Sequence, residues 1–167
     1  EHDRLLTELL GPRPAPGFRP ALLEAKAAQV SAALGVGEIN PDSPVELLRS
    51  MRLAGLPATS TRSWELEQID HPAIAPLLEY KKMSRLMTAN GWHWLDTWVA
   101  DGRFRPVYVP GGVVTGRWAS DGGGALQLPH QVRRAVRADP AWVLVVADAA
   151  QLEPRILAAM SGDAAMA

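Results

Sequence analysis

The sequence predicts an α+β fold, in which helices up to about residue 100 are followed by a β-hairpin, a buried strand and a helix behind the sheet. Apolar residues recur at helical spacing through the first hundred residues. The period becomes extended after Asp101, and Trp142 to Val146 form a continuous apolar run. We therefore expect a helical region at 1–100 and a region at 101–167 that contributes to a mainly antiparallel sheet.

Three helices are predicted in the first region. An amphipathic stripe covers 22–34 and ends before two glycines. Ser43 is a good N-cap, and Pro44 after it suits the first helical position, so a second helix begins there. A third, longer helix begins near Pro72, and its stripe continues to Trp94.

The second region begins with two predicted strands, Arg103 to Val109 and Val113 to Ser120, joined by the glycine loop at 110–112. Trp142 to Val146 suit a strand that is buried on both faces. A helix should follow, because Pro154 lies where the first helical turn tolerates a missing N–H.

The composition excludes several kinds of protein and of site. A hydrophobic fraction of 47% is sufficient for one or two small cores, and the absence of cysteine excludes disulfides and thiolate zinc sites. No apolar run approaches the roughly 20 residues of a membrane span. A reducing cytoplasm is the expected setting. The chain opens on Glu1 without a signal segment and stops on Ala167 without a tail, which is typical of a fragment of a longer protein.

Positive charge is concentrated in one part of the chain. The net charge is -1, yet residues 79–137 hold nine Lys or Arg against four Asp or Glu, a local +5. Lys81 and Arg85 lie four residues apart on one helical face beside Lys82, and such like charges repel by about 0.3 kcal/mol unless an anion relieves them. A phosphate backbone would do so, and a solvated basic face is the alternative interpretation.

A single carboxylate marks the end of the predicted buried strand. Asp148 follows the apolar run and precedes the predicted helix. Nucleotidyl transfer needs carboxylates on a rigid support, because they hold the magnesium ions that activate the attacking hydroxyl. The alternative is that Asp148 merely caps the helix that follows.

Several motifs resemble those of family A DNA polymerases, in the same order, from about residue 40 to residue 163. The family carries E-Y-R-x-x-x-K-L, T-G-R, L-Q-N-I-P, and D-Y-S-Q-I-E-L-R followed by an apolar helix and S-G-D. The counterparts here are Glu79 to Leu86, Thr115-Gly116-Arg117, Leu126-Gln127-Leu128-Pro129 with one residue missing, Asp148 to Arg155, and Ser161-Gly162-Asp163.

The resemblance implies roles for the motif that contains Asp148. This carboxylate would bind two Mg²⁺ ions, and the backbone carbonyl of Ala149 would bind one of them. Gln151 would lie near the incoming nucleotide, and Glu153 would be the steric gate against the ribose 2′-hydroxyl. In the family the second carboxylate ligand and the fingers helix follow later in the chain.

The resemblance also implies contacts with DNA. Lys81 and Arg85 would hold backbone phosphates, and Thr115, Arg117 and Gln127 would lie at the DNA, the last two in the minor groove near the primer end. A long side chain on a strand with small neighbours could reach a groove unobstructed, although Arg117 alone could equally be a surface strand charge.

The implied parent is a DNA-directed DNA polymerase, of which this chain would be the thumb-like region and the first portion of the palm. Its partners would be primer-template DNA, deoxynucleoside triphosphates and the remainder of the polymerase, in the nucleoid-containing cytoplasm, and the fragment alone would be inactive. Ala149, Ala150 and Pro154 depart from the family pattern, whereas Asp148 and Glu153 do not, so we expect a divergent and active enzyme. The alternatives are a DNA-binding module of the same fold without chemistry, and an unrelated α+β domain whose basic face binds RNA or protein.

Overall fold

The computed structural model describes residues 1–121, 128–163 and 165, which divide into two units, 1–135 and 136–167. No helix in these ranges is long and apolar enough to cross a membrane. The first unit contains α1 (His2–Leu10), α2 (Ala21–Leu34), α3 (Pro44–Leu53), α4 (Ser63–Leu66), α5 (Ile74–Asn90), α6 (Trp92–Trp98), β1 (Val99–Ala100), β2 (Arg103–Phe104), β3 (Val107–Val109), β4 (Ala119–Asp121) and α7 (His130–Arg133). The second unit contains α8 (Leu152–Ser161).

The three helices that the sequence predicts in the first region are α2, α3 and α5. The first of them ends at Gly35 in a left-handed conformation. The second begins after Ser43, whose hydroxyl oxygen accepts the backbone N–H of Glu46 at 3.3 Å, with Pro44 at the first helical position. Capping chemistry was therefore a correct guide to these boundaries.

The predicted third helix is broken at Gly91, and α6 restarts at the next residue. A Cβ on Gly91 would lie 2.2 Å from the backbone oxygen of Met87, so only glycine permits this close approach. The stripe that continues to Trp94 thus belongs to two helices that meet at a bend.

Two apolar clusters form the core of the first unit, and α5 contributes to both. The N-terminal half of α5 packs with α2, α3 and α4, and its C-terminal half packs with α1, α6 and α7. The fully buried side chains of the second cluster include Leu5, Leu6, Leu10 and Val132. Helix α1 was not predicted from the sequence, although its leucines lie at helical spacing ahead of the first proline.

Polar contacts tie α1 to the bend between α5 and α6. The His2 Nε2–H donates to the backbone oxygen of Asn90 at 2.8 Å, and the His2 ring stacks on Trp94 with a centroid distance of 4.9 Å. The indole Nε1–H of Trp92 donates to Asp3 at 2.9 Å. These contacts fix the bend against the N-terminal helix.

The predicted strand from Arg103 to Val109 is wrong as a single element, because it is divided at Pro106, which has no N–H to donate. Its first part, β2, pairs with β1 in an antiparallel turn. Its second part, β3, pairs with β4, with Val107 opposite Asp121 and Val109 opposite Ala119. A hairpin is therefore present, with shorter strands than predicted.

The second predicted strand of the hairpin begins only at Ala119. The six preceding residues turn back on themselves, since the Gly116 N–H donates to the Val113 carbonyl at 2.8 Å. Close packing also constrains the loop, because a Cβ on Gly112 would lie 2.7 Å from the Cβ of Ala119. Thr115 and Arg117 consequently lie in a turn.

The predicted buried strand from Trp142 to Val146 is not formed in this chain. All five side chains are exposed, Val145 by 87% and Val146 by 92%. A buried strand needs neighbours that accept its backbone hydrogen bonds, and the described part of the second unit offers no strand to pair with. The helix after it forms as predicted, with Pro154 in its first turn and Gly162 in a left-handed conformation at its end.

Candidate nucleic-acid interface and catalytic motif

Lys81 and Arg85 line one open groove of about 470 Å³ on the surface of α5. The opposite side of the groove is formed by the chain entering α3, by Thr61 before α4 and by Ser63, the first residue of α4. Hydroxyl groups of these two residues and of α5 therefore lie in the same groove as the cations. Such a mixture of cations and hydroxyls is typical of surfaces that contact a nucleic-acid backbone.

Lys81 makes a hydrogen bond that the sequence did not indicate. Its ammonium group donates to the backbone oxygen of Thr61, and the side chain is half-buried. Burial lowers the pKa of Lys81, against an opposing effect from the Asp42 carboxylate. The repulsion expected between Lys81 and Arg85 is thus partly relieved inside the fold, whereas Arg85 is exposed.

Asp42 is the carboxylate of the groove, and the fold neutralises it. Arg19 forms an ion pair with Asp42 at 3.0 Å, and the hydroxyls of Tyr80 and Ser84 each donate to it at 2.8 Å. Burial, followed by the bond to Asp42, raises the pKa of Tyr80 to about 12. The groove therefore keeps a positive balance although it contains a carboxylate.

The local excess of basic residues is also strengthened by pairing with distant parts of the chain. Glu79 forms an ion pair with Lys26, and Asp96 forms one with Arg13. Two of the four acidic residues in 79–137 are thus paired with cations outside that range. These pairs neutralise part of the acidic charge of the segment, while Arg134 of the same segment is paired with Glu8 outside it.

Two of the other predicted DNA contacts, Thr115 and Arg117, do not line the groove. Thr115 and Arg117 are exposed in the turn of the hairpin, and Gln127 lies outside the described residues. Beside Arg117, the ring of Trp118 lies 6.3 Å from that of Tyr108, both about half exposed. Arg117 thus lies in the loop before β4 rather than on a strand.

The basic segment after the hairpin takes part in packing. The guanidinium of Arg133 donates to the carbonyl of Leu128 at 3.1 Å, and that of Arg134 meets Glu8 of α1 at 3.2 Å. These bonds flank Val132, which is fully buried against α1. At least part of this positive charge therefore serves to hold α7 on α1.

Asp148 does not cap the helix that follows it. The N-cap of α8 is Gln151, three residues later, and Asp148 is exposed in the intervening loop. Within the described ranges the Asp148 carboxylate makes no hydrogen bond. The capping alternative is therefore excluded for this structure, and the carboxylate is accessible to a ligand.

The residues after Asp148 enter α8 through an unusual conformation. Gln151 has φ 55° and ψ 41°, in the left-handed region that non-glycine residues seldom occupy. Glu153 follows in the first turn of α8, where the positive end of the helix dipole stabilises a carboxylate. The sequence offered no signal for this conformation, which orients the start of the helix relative to Asp148.

Oxygen donors suited to magnesium are present in this loop, but only as part of a site. The Asp148 carboxylate and the Ala149 carbonyl are the hard oxygen ligands that Mg²⁺ prefers, and both residues are exposed. No group of three or more His, Asp or Glu residues that could hold a metal occurs within the described parts of the chain. These donors fit one side of a metal site.

Comparison with known proteins identifies the class to which these features belong. Residues 21–167 match DNA polymerase family A, and the chain belongs to that family. It is 30% identical to DNA polymerase I of Chloroflexus aurantiacus over 139 residues, covering 76% of this chain. It is 30% identical over 120 residues to the thermostable DNA polymerase I of Thermus thermophilus and 28% identical over 121 residues to that of Thermus aquaticus, covering 65% of this chain in each case. The chain spans 14% of the length of each of these relatives.

Proposed function

We propose that this chain is the thumb-like region, 1–100, and the first portion of the palm, 101–167, of a DNA-directed DNA polymerase. In this proposal the helical region holds primer-template DNA and the second region supplies one catalytic carboxylate. Deoxynucleoside triphosphates are the substrates, and each deoxynucleotide is added to a primer 3′ end. Family membership over residues 21–167 supports the assignment to polymerases.

The observation that carries the DNA-binding part is the groove on α5. Lys81, Arg85 and several hydroxyl groups line the same open groove, and Asp42 within it is paired with Arg19. A nucleic-acid backbone carries closely spaced phosphates, and cations with neighbouring hydroxyls bind them without regard to sequence. Arg117, Thr115 and Gln127 complete the proposed DNA contacts at the hairpin and after it.

The catalytic part of the proposal rests on Asp148, which is exposed and does not cap α8. Two Mg²⁺ ions bound there would activate the primer hydroxyl and neutralise charge on the phosphates. Asp148 and the Ala149 carbonyl would hold these ions from this chain, with the second carboxylate supplied by the rest of the polymerase. Gln151 and Glu153 would face the incoming nucleotide, with Glu153 excluding a ribose 2′-hydroxyl.

Replacement of Asp148 in the polymerase that contains this region tests the proposal. Asp148→Ala should lower template-dependent primer extension by about 10³-fold or more, while binding to primed DNA changes less than about twofold. The matched control is Asp139→Ala, at another exposed aspartate of the same unit, which should leave extension unchanged. Unchanged extension by the Asp148 variant would instead support a DNA-binding module without chemistry.

The DNA-binding part has its own test in a salt titration. Binding to primed DNA should weaken steeply with salt, and Arg85→Ala should lower the slope of log affinity against log salt by about 1. Arg49→Ala, which removes an exposed arginine of α3 that does not line the groove, should leave the slope unchanged. Preferential binding to single-stranded DNA or RNA in a competition assay would contradict a primer-template groove.

A further inference from the structure

The loop at 59–63, on the far side of the groove from α5, is held by a single carboxylate. One oxygen of Glu65 accepts the backbone N–H groups of Thr59 and Ser60 at 2.6 and 2.9 Å, and the Thr59 hydroxyl at 2.8 Å. The other oxygen accepts the Ser60 hydroxyl at 2.6 Å. Four hydrogen bonds from two adjacent residues thus converge on Glu65.

Helix capping does not account for this arrangement. A glutamate at the third position of a helix ordinarily reaches back to the N-cap N–H in a capping box. Here the N-cap is Arg62, whose side chain makes no capping bond, and Glu65 reaches two and three residues further back. Moreover, α4 has only four residues, so there is little helix for a cap to stabilise. Both oxygens of Glu65 are used to shape the loop.

The same loop is bonded to Lys81. The ammonium group of Lys81 donates to the backbone oxygen of Thr61, the residue that follows the two held by Glu65. Thr61 and Ser63 line the groove together with Lys81 and Arg85. The position of the loop therefore decides both where the Lys81 ammonium is held and where the two hydroxyl groups lie.

We propose that Glu65 is a positioning residue for backbone-phosphate binding, because it holds loop 59–63 so that Thr61 anchors Lys81 and the hydroxyls of Thr61 and Ser63 face the same phosphate. Glu65 itself does not touch the DNA. This inference rests on the proposed function, and it extends the DNA contacts from one face of α5 to the loop across the groove. The phosphate is that of a DNA backbone.

The direction of the change in DNA affinity distinguishes a positioning role of Glu65 from an effect of its charge. Hydrogen bonds from Ser60 and Thr59 lower the pKa of Glu65 to about 2, so its carboxylate is negative at neutral pH. Removal of a negative charge near a polyanion ordinarily strengthens binding. The positioning role has the opposite consequence, because loss of the four hydrogen bonds releases Thr61 and with it Lys81. Weaker binding after loss of this acidic residue would therefore report geometry and not charge.

The experiment measures the affinity of the 167-residue chain for primed DNA by fluorescence anisotropy in Glu65→Ala, Glu65→Gln and Glu67→Ala. Glu65→Ala should bind about fivefold to tenfold more weakly than wild type. Glu65→Gln carries the same charge change but keeps one carbonyl oxygen as an acceptor, so it should recover part of the affinity. Glu67→Ala removes a neighbouring exposed carboxylate that holds no loop, and it should bind as well as wild type or better.

A double-mutant cycle with Lys81→Ala tests whether Glu65 acts through Lys81. In the Lys81→Ala background the loss of DNA affinity caused by Glu65→Ala should shrink by more than half. Circular dichroism and thermal unfolding identify any variant that fails to fold, and Glu65→Gln keeps the comparison possible in that case. Binding by Glu65→Ala as tight as by Glu67→Ala would overturn the inference while leaving the proposed function intact. Absence of DNA binding by the wild-type chain would overturn the proposed function first.

Discussion

The two units of this chain differ in how much of their apolar surface they bury. In 1–135 the helices enclose two apolar clusters, and residues such as Leu5, Leu47 and Tyr80 are fully buried. Within the described part of 136–167 Ala158 is buried, whereas Trp142 to Val146 are exposed. The first unit can therefore owe its stability to its own packing, whereas the second presents an apolar run that its own residues do not cover.

This difference parallels the chemistry of the two units. The groove on α5 is assembled from side chains whose bonds lie within one unit. Asp148, in contrast, offers an exposed carboxylate that would be only one part of the proposed two-metal site. Under the proposed function, DNA binding is the property that this chain would express by itself, and catalysis would depend on the rest of the polymerase.

The largest expected effect comes from truncating the same residue type in each unit. Leu5→Ala should lower the free energy of unfolding of the 167-residue chain by about 2 to 5 kcal/mol, because it leaves a cavity in a closed core. Leu144 is 59% exposed, so Leu144→Ala should cost less than about 0.5 kcal/mol. Urea unfolding of the two variants measures both values, and equal costs would contradict the comparison.

The same two variants have a further expected result in the proposed full-length polymerase. If the remainder of the palm covers 142–146 there, Leu144→Ala should become as costly as Leu5→Ala, about 2 kcal/mol or more. A small cost in both contexts would show that this run stays exposed and that its apolar character has another purpose.

Local sequence patterns predicted much of the fold. They could not predict contacts between residues that are distant in the chain. Ser43 and Gly35 act on backbone groups within a turn of themselves, and the sequence located these ends of α3 and α2 correctly. The ion pair of Arg19 with Asp42 and the bond of Lys81 to Thr61 depend on how helices pack, which no short pattern encodes. Glu65 was missed for another reason, because its bonds to Thr59 and Ser60 do not follow the capping pattern that a helix start predicts.

The prediction of a buried strand from Trp142 to Val146 was wrong for a different physical reason. An apolar run predicts burial only where a partner surface exists, and pairing requires neighbouring strands to accept its hydrogen bonds. Local composition at Trp142 to Val146 carries no information about those neighbours. The proposed metal site has the same property, since Asp148 fixes the position of one ligand and leaves the others to elements elsewhere.

A second prediction concerns the bend that connects the two clusters of the first unit. Gly91→Ala should lower the free energy of unfolding by about 1 to 3 kcal/mol, because the added Cβ would lie 2.2 Å from the Met87 carbonyl oxygen. Gly37→Ala is the matched control, since no heavy atom lies within 4 Å of a Cβ built there. If both variants unfold at the same urea concentration, the close approach at Gly91 does not constrain the bend.

The smallest effect is expected from the buried hydroxyl beside the groove. Tyr80→Phe removes the bond to Asp42 and the acceptor of Arg19, and it should lower the free energy of unfolding by about 1 kcal/mol at neutral pH. The pKa of Tyr80 is raised from 10.0 to about 12, so the folded state favours the protonated phenol. That contribution is complete below pH 10 and is lost as the pH rises toward 12.

The pH dependence separates this bond from simple packing. Wild type should lose stability between pH 10 and pH 12 more steeply than Tyr80→Phe, which has no phenol to ionise at that position. The matched control is Tyr108→Phe, at the exposed tyrosine of β3. Parallel slopes for wild type and Tyr80→Phe in urea unfolding would mean that the phenol is not held in its protonated form by the first unit. In that case the hydrogen bond from Tyr80 to Asp42 would not contribute to the stability of the first unit, although the bond from Ser84 would still join Asp42 to α5.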